Sequence, residues 1–347
     1  MKQRNFKEIY DAIYDSVGTE IEAQRKNVLA KALLAILVVF IIFVAMMFSG
    51  LNNDTPLLAI VAVFSIVLLI VILAKINRNY KILYKEKVIN EIVEKSNPAL
   101  RYLYKNGISP SEYAASHFDS HWDRYHTEDL IEGKLEDGSH LTMAQVHTEE
   151  RHTTTDSDGH TQTTYVTTFL GLFGVVKLKT GTNADFMIMN NSKLAKFKKN
   201  RIEMESAEFE KYYDVYAGSK DAGLRQNAME ILTPEAIEQF TIIRNLFKRP
   251  VNVRVYHDKI YFRIAVGDIF EPPTFKSSLN FEMLRKYFFI IDVPRMIYET
   301  LIDNILVMYG DKKAREERIF ANMTNEQKEE YLKNQKAEDE ATYFSHK

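Results

Sequence analysis

The sequence predicts an α+β protein: an N-terminal two-helix transmembrane hairpin with a helical stalk, then a cytoplasmic mixed domain built on antiparallel sheet with packed helices. Three observations carry this prediction. Two uncharged apolar runs, Ala32–Ser49 and Leu57–Ala74, stand near the N-terminus, separated only by Gly50–Pro56. Apolar residues at spacings of three and four flank both runs. From Glu128 onward, alternating stretches broken by turn residues replace the helical period.

Each apolar run is about 18 residues long, roughly the span of a bilayer core at about 1.5 Å per residue. A soluble core helix keeps a polar stripe. LLAILVVFIIFVAMMF has none, and the second run holds one polar residue, Ser65, whose hydroxyl can bond the carbonyl one turn back. A cleaved signal peptide does not fit either, because charged, periodic sequence precedes the first run and a second run follows at once. Arg25, Lys26 and Lys31 precede the hairpin, and Lys75, Arg78, Lys81, Lys85 and Lys87 follow it, whereas the turn carries only Asp54. Basic residues stay on the cytoplasmic side, which predicts a multi-pass protein of the cell membrane with both termini cytoplasmic.

The remaining elements follow in order. Phe6, Ile9, Tyr10, Ile13, Val17 and Ile21 make residues 1–31 an amphipathic juxtamembrane helix, weakened in its middle by Gly18. The hairpin occupies 32–74 (32–49 and 57–74). Ile76, Tyr80, Leu83, Ile89, Ile92 and Val93 continue a seam until Ser96-Asn97-Pro98. With a second helical piece over 98–118, this gives a stalk over 75–118. The cytoplasmic α+β domain is expected over 119–310. Within it, Asp137-Gly138 and Asp156–Gly159 mark turns among β-branched residues. Phe169–Gly181 reads as a more buried strand, bulged at Gly171 or Gly174, and Phe186–Met189 and Arg201–Met204 as further strands. Thr233-Pro234-Glu235 starts a helix running to about Lys248. VNVRVY and IYFRIAV form a hairpin around Asp258-Lys259, helices are expected over 279–291 and 293–309, and 311–347 is a charged helical or disordered tail.

Composition narrows the function. The 347-residue chain has no cysteine, hence no disulfide framework, and 45 basic against 47 acidic residues, which argues against a nucleic-acid partner. The juxtamembrane cations suit anionic lipid, and Lys193, Lys196, Lys198, Lys199 and Arg201 read as a solvated loop. There is no Walker-type phosphate loop, no dinucleotide glycine fingerprint and no strand-elbow serine. No cofactor is indicated. Seven histidines fall between His117 and His160: these two and His121, His126, His140, His147 and His152. On a continuous helix His117 and His121 would share a face, a spacing used by metal sites, with Asp119 and Asp123 nearby; HFDSH lacks the central glutamate of the zinc-protease pattern. They are the only candidate metal ligands. The adjacent acids Glu128/Asp129 and Glu149/Glu150 point apart on a strand and read as surface charge. Trp122, Tyr125, Tyr212, Tyr213 and Tyr216 are either a binding face or core.

The membrane hairpin, DRYHTEDLIEGKLEDGSHLTMAQV (Asp123–Val146), TFLGLFGVVKLKTG (Thr168–Gly181), MESAEFEKYYDVYAGSKDAGLRQNAMEILTPEAIEQF (Met204–Phe240) and VRVYHDKIYFRI (Arg254–Ile264) together resemble a bacterial two-helix membrane family catalogued as Domain of Unknown Function 3137. The resemblance implies two membrane helices and a cytoplasmic α/β region, assigns no activity or catalytic residue, and implies a LemA-type membrane protein as a partner. The histidine-rich 147–160 stretch departs from it. The sequence thus favours a membrane-tethered, non-enzymatic binding or scaffold module whose partners are the lipid bilayer and a protein. The competing readings are a membrane-bound metal-dependent hydrolase using His117 and His121, and a lipid-headgroup-sensing domain.

Overall fold

The computed structural model describes residues 6–48, 55–155, 160–191, 200–272 and 280–309, with Thr324 and Lys328. The Asp156–Gly159 turn, the lysines at 193–199 and nearly all of the 311–347 tail lie outside the described residues.

The chain begins with helical structure that continues from α1 (Phe6–Ile13) through a π-helical turn (Tyr14–Gly18) into α2 (Thr19–Phe48). Helix α3 (Thr55–Tyr84) returns, passes a second π-helical turn (Lys85–Ile89) and ends as α4 (Asn90–Ser96), just before Pro98. Among the described residues two helices are long and apolar enough to cross a membrane, Tyr10–Met46 and Ala59–Ser96, with 6% and 0% of their apolar windows buried. A soluble core helix would bury that surface. Below the apolar runs, the two strokes pack antiparallel. Lys87 meets Glu20 at 2.5 Å and Ser16 Oγ donates to Glu91 at 3.2 Å. Ile13, Ile21 and Val28 are buried in one cluster with Tyr80, Tyr84, Val88 and Ile92.

The strands are β1 (Leu100–Leu103), β2 (Arg124–Lys134), β3 (His140–Thr155), β4 (Thr161–Lys177), β5 (Asp185–Asn190), β6 (Arg201–Ile202), β7 (Tyr213–Ala217), β8 (Val251–Tyr256) and β9 (Lys259–Ile264). They form one nine-stranded sheet in the order β1-β2-β3-β4-β9-β8-β5-β7-β6, every pairing antiparallel. Helices α5 (Pro110–Ala115), α6 (Ala207–Glu210), α7 (Ala222–Ile231), α8 (Pro234–Phe247) and α9 (Phe281–Tyr309) complete the described fold.

Strand alternation divides the interior. Met143, Leu172, Ile188, Val215, Val253 and Phe262 face the stalk and α7–α9, whereas Ala144, Val146, Phe173 and Tyr261 face α5. The stalk belongs to the first of these cores, so helical hairpin and sheet share one hydrophobic interior. Thr233 caps α8 by accepting from the Ala236 amide, and Lys248 closes it in the left-handed region.

Several expectations need correction. Beyond Ser96 the stalk expected over 75–118 is helical only at α5 (Pro110–Ala115). Leu100–Leu103 pairs with Leu130–Gly133 as a strand, because Leu100 and Tyr102 alternate inward with exposed Arg101 between them. The helices expected over 279–291 and 293–309 are one, with Pro294 inside it. Ile290, Ile291, Val293, Ile297 and Leu301 are buried around that point, and such packing outweighs a proline cost of about 3 kcal/mol. The β4 irregularity is not at a glycine. Thr148 pairs with Phe169 but Glu149 with Thr167, leaving Thr168 as the extra residue. Gly171 instead admits the neighbouring chain, since a Cβ there would stand 2.1 Å from the Ile264 carbonyl. Tyr213 and Tyr216 are buried on β7, a strand the sequence reading did not separate.

Candidate functional site

Two regions of the same sheet combine unusual chemistry with a defined geometry. The first lies where the stalk meets β2. The register of β2 against β3 breaks between Glu128 and Ile131, and Asp129 takes φ 64°, the left-handed region that Asp tolerates better than most residues. Its amide donates to the Tyr104 carbonyl and that of Leu130 to the Asn106 carbonyl, so the bulge is held from outside the ladder. The irregularity turns the Asp129 carboxylate inward. There Lys85, from the second π-helical turn, donates to it at 2.5 Å, and the Tyr102 hydroxyl donates to its other oxygen at 2.5 Å. Both Lys85 and Asp129 are 1% exposed.

Around this pair, Lys85 also reaches Glu128 at 3.3 Å, and Lys81 meets Glu271 at 2.5 Å and Glu128 at 3.6 Å. The Tyr287 hydroxyl donates to the Glu271 carbonyl, which adds α9 to the same knot. Burial pushes the Asp129 carboxyl up to about 6, against the opposing pull of Lys85 and Tyr102 and with Glu128 pushing the same way. Burial and the adjacent carboxylate hold the Tyr102 phenol far above its usual range. The Lys85–Asp129 centre is closed off from solvent while Lys81, Glu128 and Glu271 around it stay partly exposed, and the cluster locks stalk to sheet.

Sequence reasoning missed it. Glu128 and Asp129 read as outward surface charge, and Lys85 as a membrane-flanking cation. The available signal was position: Lys85 stands four residues before Ile89, on the apolar seam itself.

The second region is a two-stranded arm. Beyond the Thr148/Glu149 break, β3 and β4 run on together to Thr155↔Thr161. Every residue of Arg151–Thr155 and Thr161–Thr168 is exposed, on both faces. The root is rigid by contrast. Tyr113 of α5 packs against Phe173, Trp122 and Tyr125 with ring centroids 4.8, 5.3 and 5.6 Å away. Arg263 binds Asp119 at 2.7 Å and lies 5.0 Å from the Phe118 and Phe169 rings. The arm's two outer edges differ. On β3, the Asp123 carboxylate accepts from the Arg151 amide at 2.7 Å, and the Glu149 carbonyl accepts from the Asp123 amide at 2.8 Å. On β4, ladder pairing with β9 starts only at Leu172, so Thr161–Phe169 has no strand partner on that side among the described residues. TQTTYVTT (Thr161–Thr168) contains no charge and no proline.

His117 and His121 do not sit on one helical face. Helix α5 ends at Ala115, and His117 has φ 56°, which breaks the helical phase between them. His121 is exposed and lies 3.6 Å from Asp123. The acids thought to assist already serve structure, Asp119 with Arg263 and Asp123 with the Arg151 backbone. Among the described residues no three His, Asp or Glu side chains are placed to hold a metal ion. His126 and His147 pair across β2 and β3 with ring centroids 6.0 Å apart.

A third feature is a cleft of about 370 Å³ between the end of α8 and the start of α9. Leu246, Phe247, Phe289 and Ile290 give it apolar walls, and Arg249, Arg285 and Lys286 outnumber the single acid, Glu282.

A family model described as Protein of unknown function (DUF3137) matches residues 167–302. The matched stretch starts in the arm's β4 and ends within α9. It takes in most of β4 and all of β5–β9, from the middle of the sheet to its β6 edge, and leaves out both long apolar helices, Lys85 and Asp129. Over those residues the chain is similar to a domain to which no function is attached. No curated protein and no solved structure matches the chain.

Proposed function

We propose that this chain is a membrane-tethered, non-enzymatic binding or scaffold module, crossing the cell membrane twice with both termini cytoplasmic and docking a protein partner through the β3–β4 arm. The supporting observation is the arm itself. A two-stranded ribbon exposed on both faces buries almost nothing, and such ribbons are marginal in water. Here it stands on a root built from an aromatic cluster and the Arg263–Asp119 pair. A rigid mount for an element that contributes little to the core suits recognition of something outside the chain. The buried Lys85–Asp129 junction suits a scaffold as well, since it fixes the arm's position relative to the bilayer.

The test is an arm-shortened variant in which Asn-Gly links Glu149 directly to Thr167, residues already paired across the ladder. Expected is unchanged membrane fractionation and melting temperature, with loss of the arm-dependent neighbours found by proximity labelling in native membranes. An unchanged neighbour set overturns the reading. The cleft favours a second reading, a site for an anionic amphiphile with its tail along Phe247 and Phe289 and its head at Arg249 and Lys286. Loss of a co-purifying anionic lipid in Arg249→Glu/Lys286→Glu, measured by mass spectrometry, would support it.

A further inference from the structure

Resting on the docking reading above, we infer that the occupant of the arm's β4 edge is a second copy of this chain, joined antiparallel through Thr161–Thr168 of each copy about a two-fold axis. An unpaired strand edge presents a row of backbone donors and acceptors, and proteins ordinarily blunt it with charge, proline or a cover. The arm blunts one edge only. Its β3 side carries Glu149, Glu150, Arg151 and His152, with the Arg151 amide capped by Asp123, and leaves only the short Thr153–Thr155 end uncharged and without a strand partner among the described residues. Its β4 side has eight consecutive residues without charge or proline, rich in β-branched side chains, and without a strand partner among the described residues.

Three features make an identical strand the fitting occupant. Antiparallel self-pairing sets side chains of one copy against the same segment of the other, which is costly when like charges meet and neutral here. The arm already uses the chemistry that self-pairing would repeat. Thr148–Thr168 bond across β3 and β4 at 2.8 Å, Thr155–Thr161 at 3.3 Å and Thr153–Thr163 at 3.5 Å. Two copies tethered in one bilayer also hold their arms at the same depth, so their effective concentration is high enough for a small interface. A freely diffusing partner would lack that advantage. Exposed Tyr165 and Val166, 36% and 48% accessible, supply apolar contact at the middle of the strand.

The experiment uses the full chain in native membranes and exploits its lack of cysteine. Single cysteines are placed in turn at each position from Thr161 to Thr168, with Thr153→Cys as a control on the far strand. Under mild oxidation, one β4 position should face its own copy, with Cβ atoms about 5 Å apart against 7–8 Å diagonally. Disulfide-linked dimer should therefore peak at that position, about tenfold over the positions immediately on either side, whose own copies stand on that diagonal, and over the control. Maleimide labelling of the same variants, in membranes and after purification as monomer, supplies the second readout. If no position exceeds the control while 161–168 are protected from maleimide in membranes, the second copy is excluded and the docking reading survives. If no position exceeds the control and none is protected, both fail. A uniform ladder of crosslinks that includes Thr153→Cys reports collision and overturns the inference.

Discussion

The junction and the arm are built from the same sheet, and β3 runs through both of their neighbourhoods, yet they handle polar chemistry in opposite ways. At the junction a bulge directs charge inward, and Lys85, Asp129 and Tyr102 satisfy one another away from water. In the arm, regular pairing leaves polar side chains on both faces in solvent, and the longest stretch of backbone without a strand partner among the described residues is the β4 edge. The difference lies in what removal does. A buried charge that loses its partner is stranded, whereas an exposed hydroxyl that is lost is replaced by water. Stability should therefore respond to the junction and association to the arm.

The largest test of that contrast is Lys85→Met, which leaves Asp129 buried with only Tyr102 as a partner. Chemical denaturation of the purified protein should show a loss of about 3–5 kcal/mol. In the double variant Lys85→Met/Asp129→Asn the stranded charge is gone, and a large part of the loss should return. A double variant as unstable as the single one would mean that the pair is not the source.

Next in size is a pH effect. Asp129 keeps its proton up to about 6 in the folded chain, against about 4 when unfolded. Between those values the native state holds more protons than the unfolded one, so stability from this group falls as pH rises from about 4 to about 6 and is flat above, on the order of 3 kcal/mol in all. Denaturation across that window should show the slope in wild type and lose it in Asp129→Asn.

Smaller again is Gly138→Ala in the β2–β3 turn. Its φ of +83° and a Lys179 Cε 2.6 Å from any added Cβ make about 1 kcal/mol the expected loss, read as a lower melting temperature. Least of all is Tyr165→Ala in the arm, where the ring lies 3.2 Å under the Arg124 guanidinium but remains exposed. About 0.5–1 kcal/mol is expected. A loss at Tyr165 to match that at Lys85 would erase the distinction between the two regions.

The legible parts of the fold were those whose pattern is long or whose punctuation is specific. The apolar runs, Asp137-Gly138, the Thr233-Pro234-Glu235 start and the β8–β9 hairpin all carry a local physical reason that the structure keeps. Leu100–Leu103 was not legible because four residues cannot separate a period of 2 from one of 3.6. Pro294 misled because burial on the sheet outweighs a local preference. The junction was hidden for a different reason. Adjacent acids point apart only on a regular strand, and Asp129 sits where regularity fails. Likewise the His117 and His121 spacing presumes a helix that stops at Ala115. In each case a non-local contact or one left-handed residue changed which way a side chain points, and neither leaves a mark in spacing.

The paired π-helical turns in the stalk carry one further consequence. Tyr14–Gly18 and Lys85–Ile89 stand at facing levels of the two antiparallel strokes, as the Ser16–Glu91 and Glu20–Lys87 bonds show. A π turn is an α-helix with one residue inserted, and one residue is about 100° of helical rotation. The pair acts as a phase coupling between an apolar segment left largely exposed and one that must aim a narrow stripe at the sheet. Excising a single residue from Lys85–Ile89 would leave the long apolar segments undisturbed and swing Ile92 and Val93 a quarter-turn out of alignment.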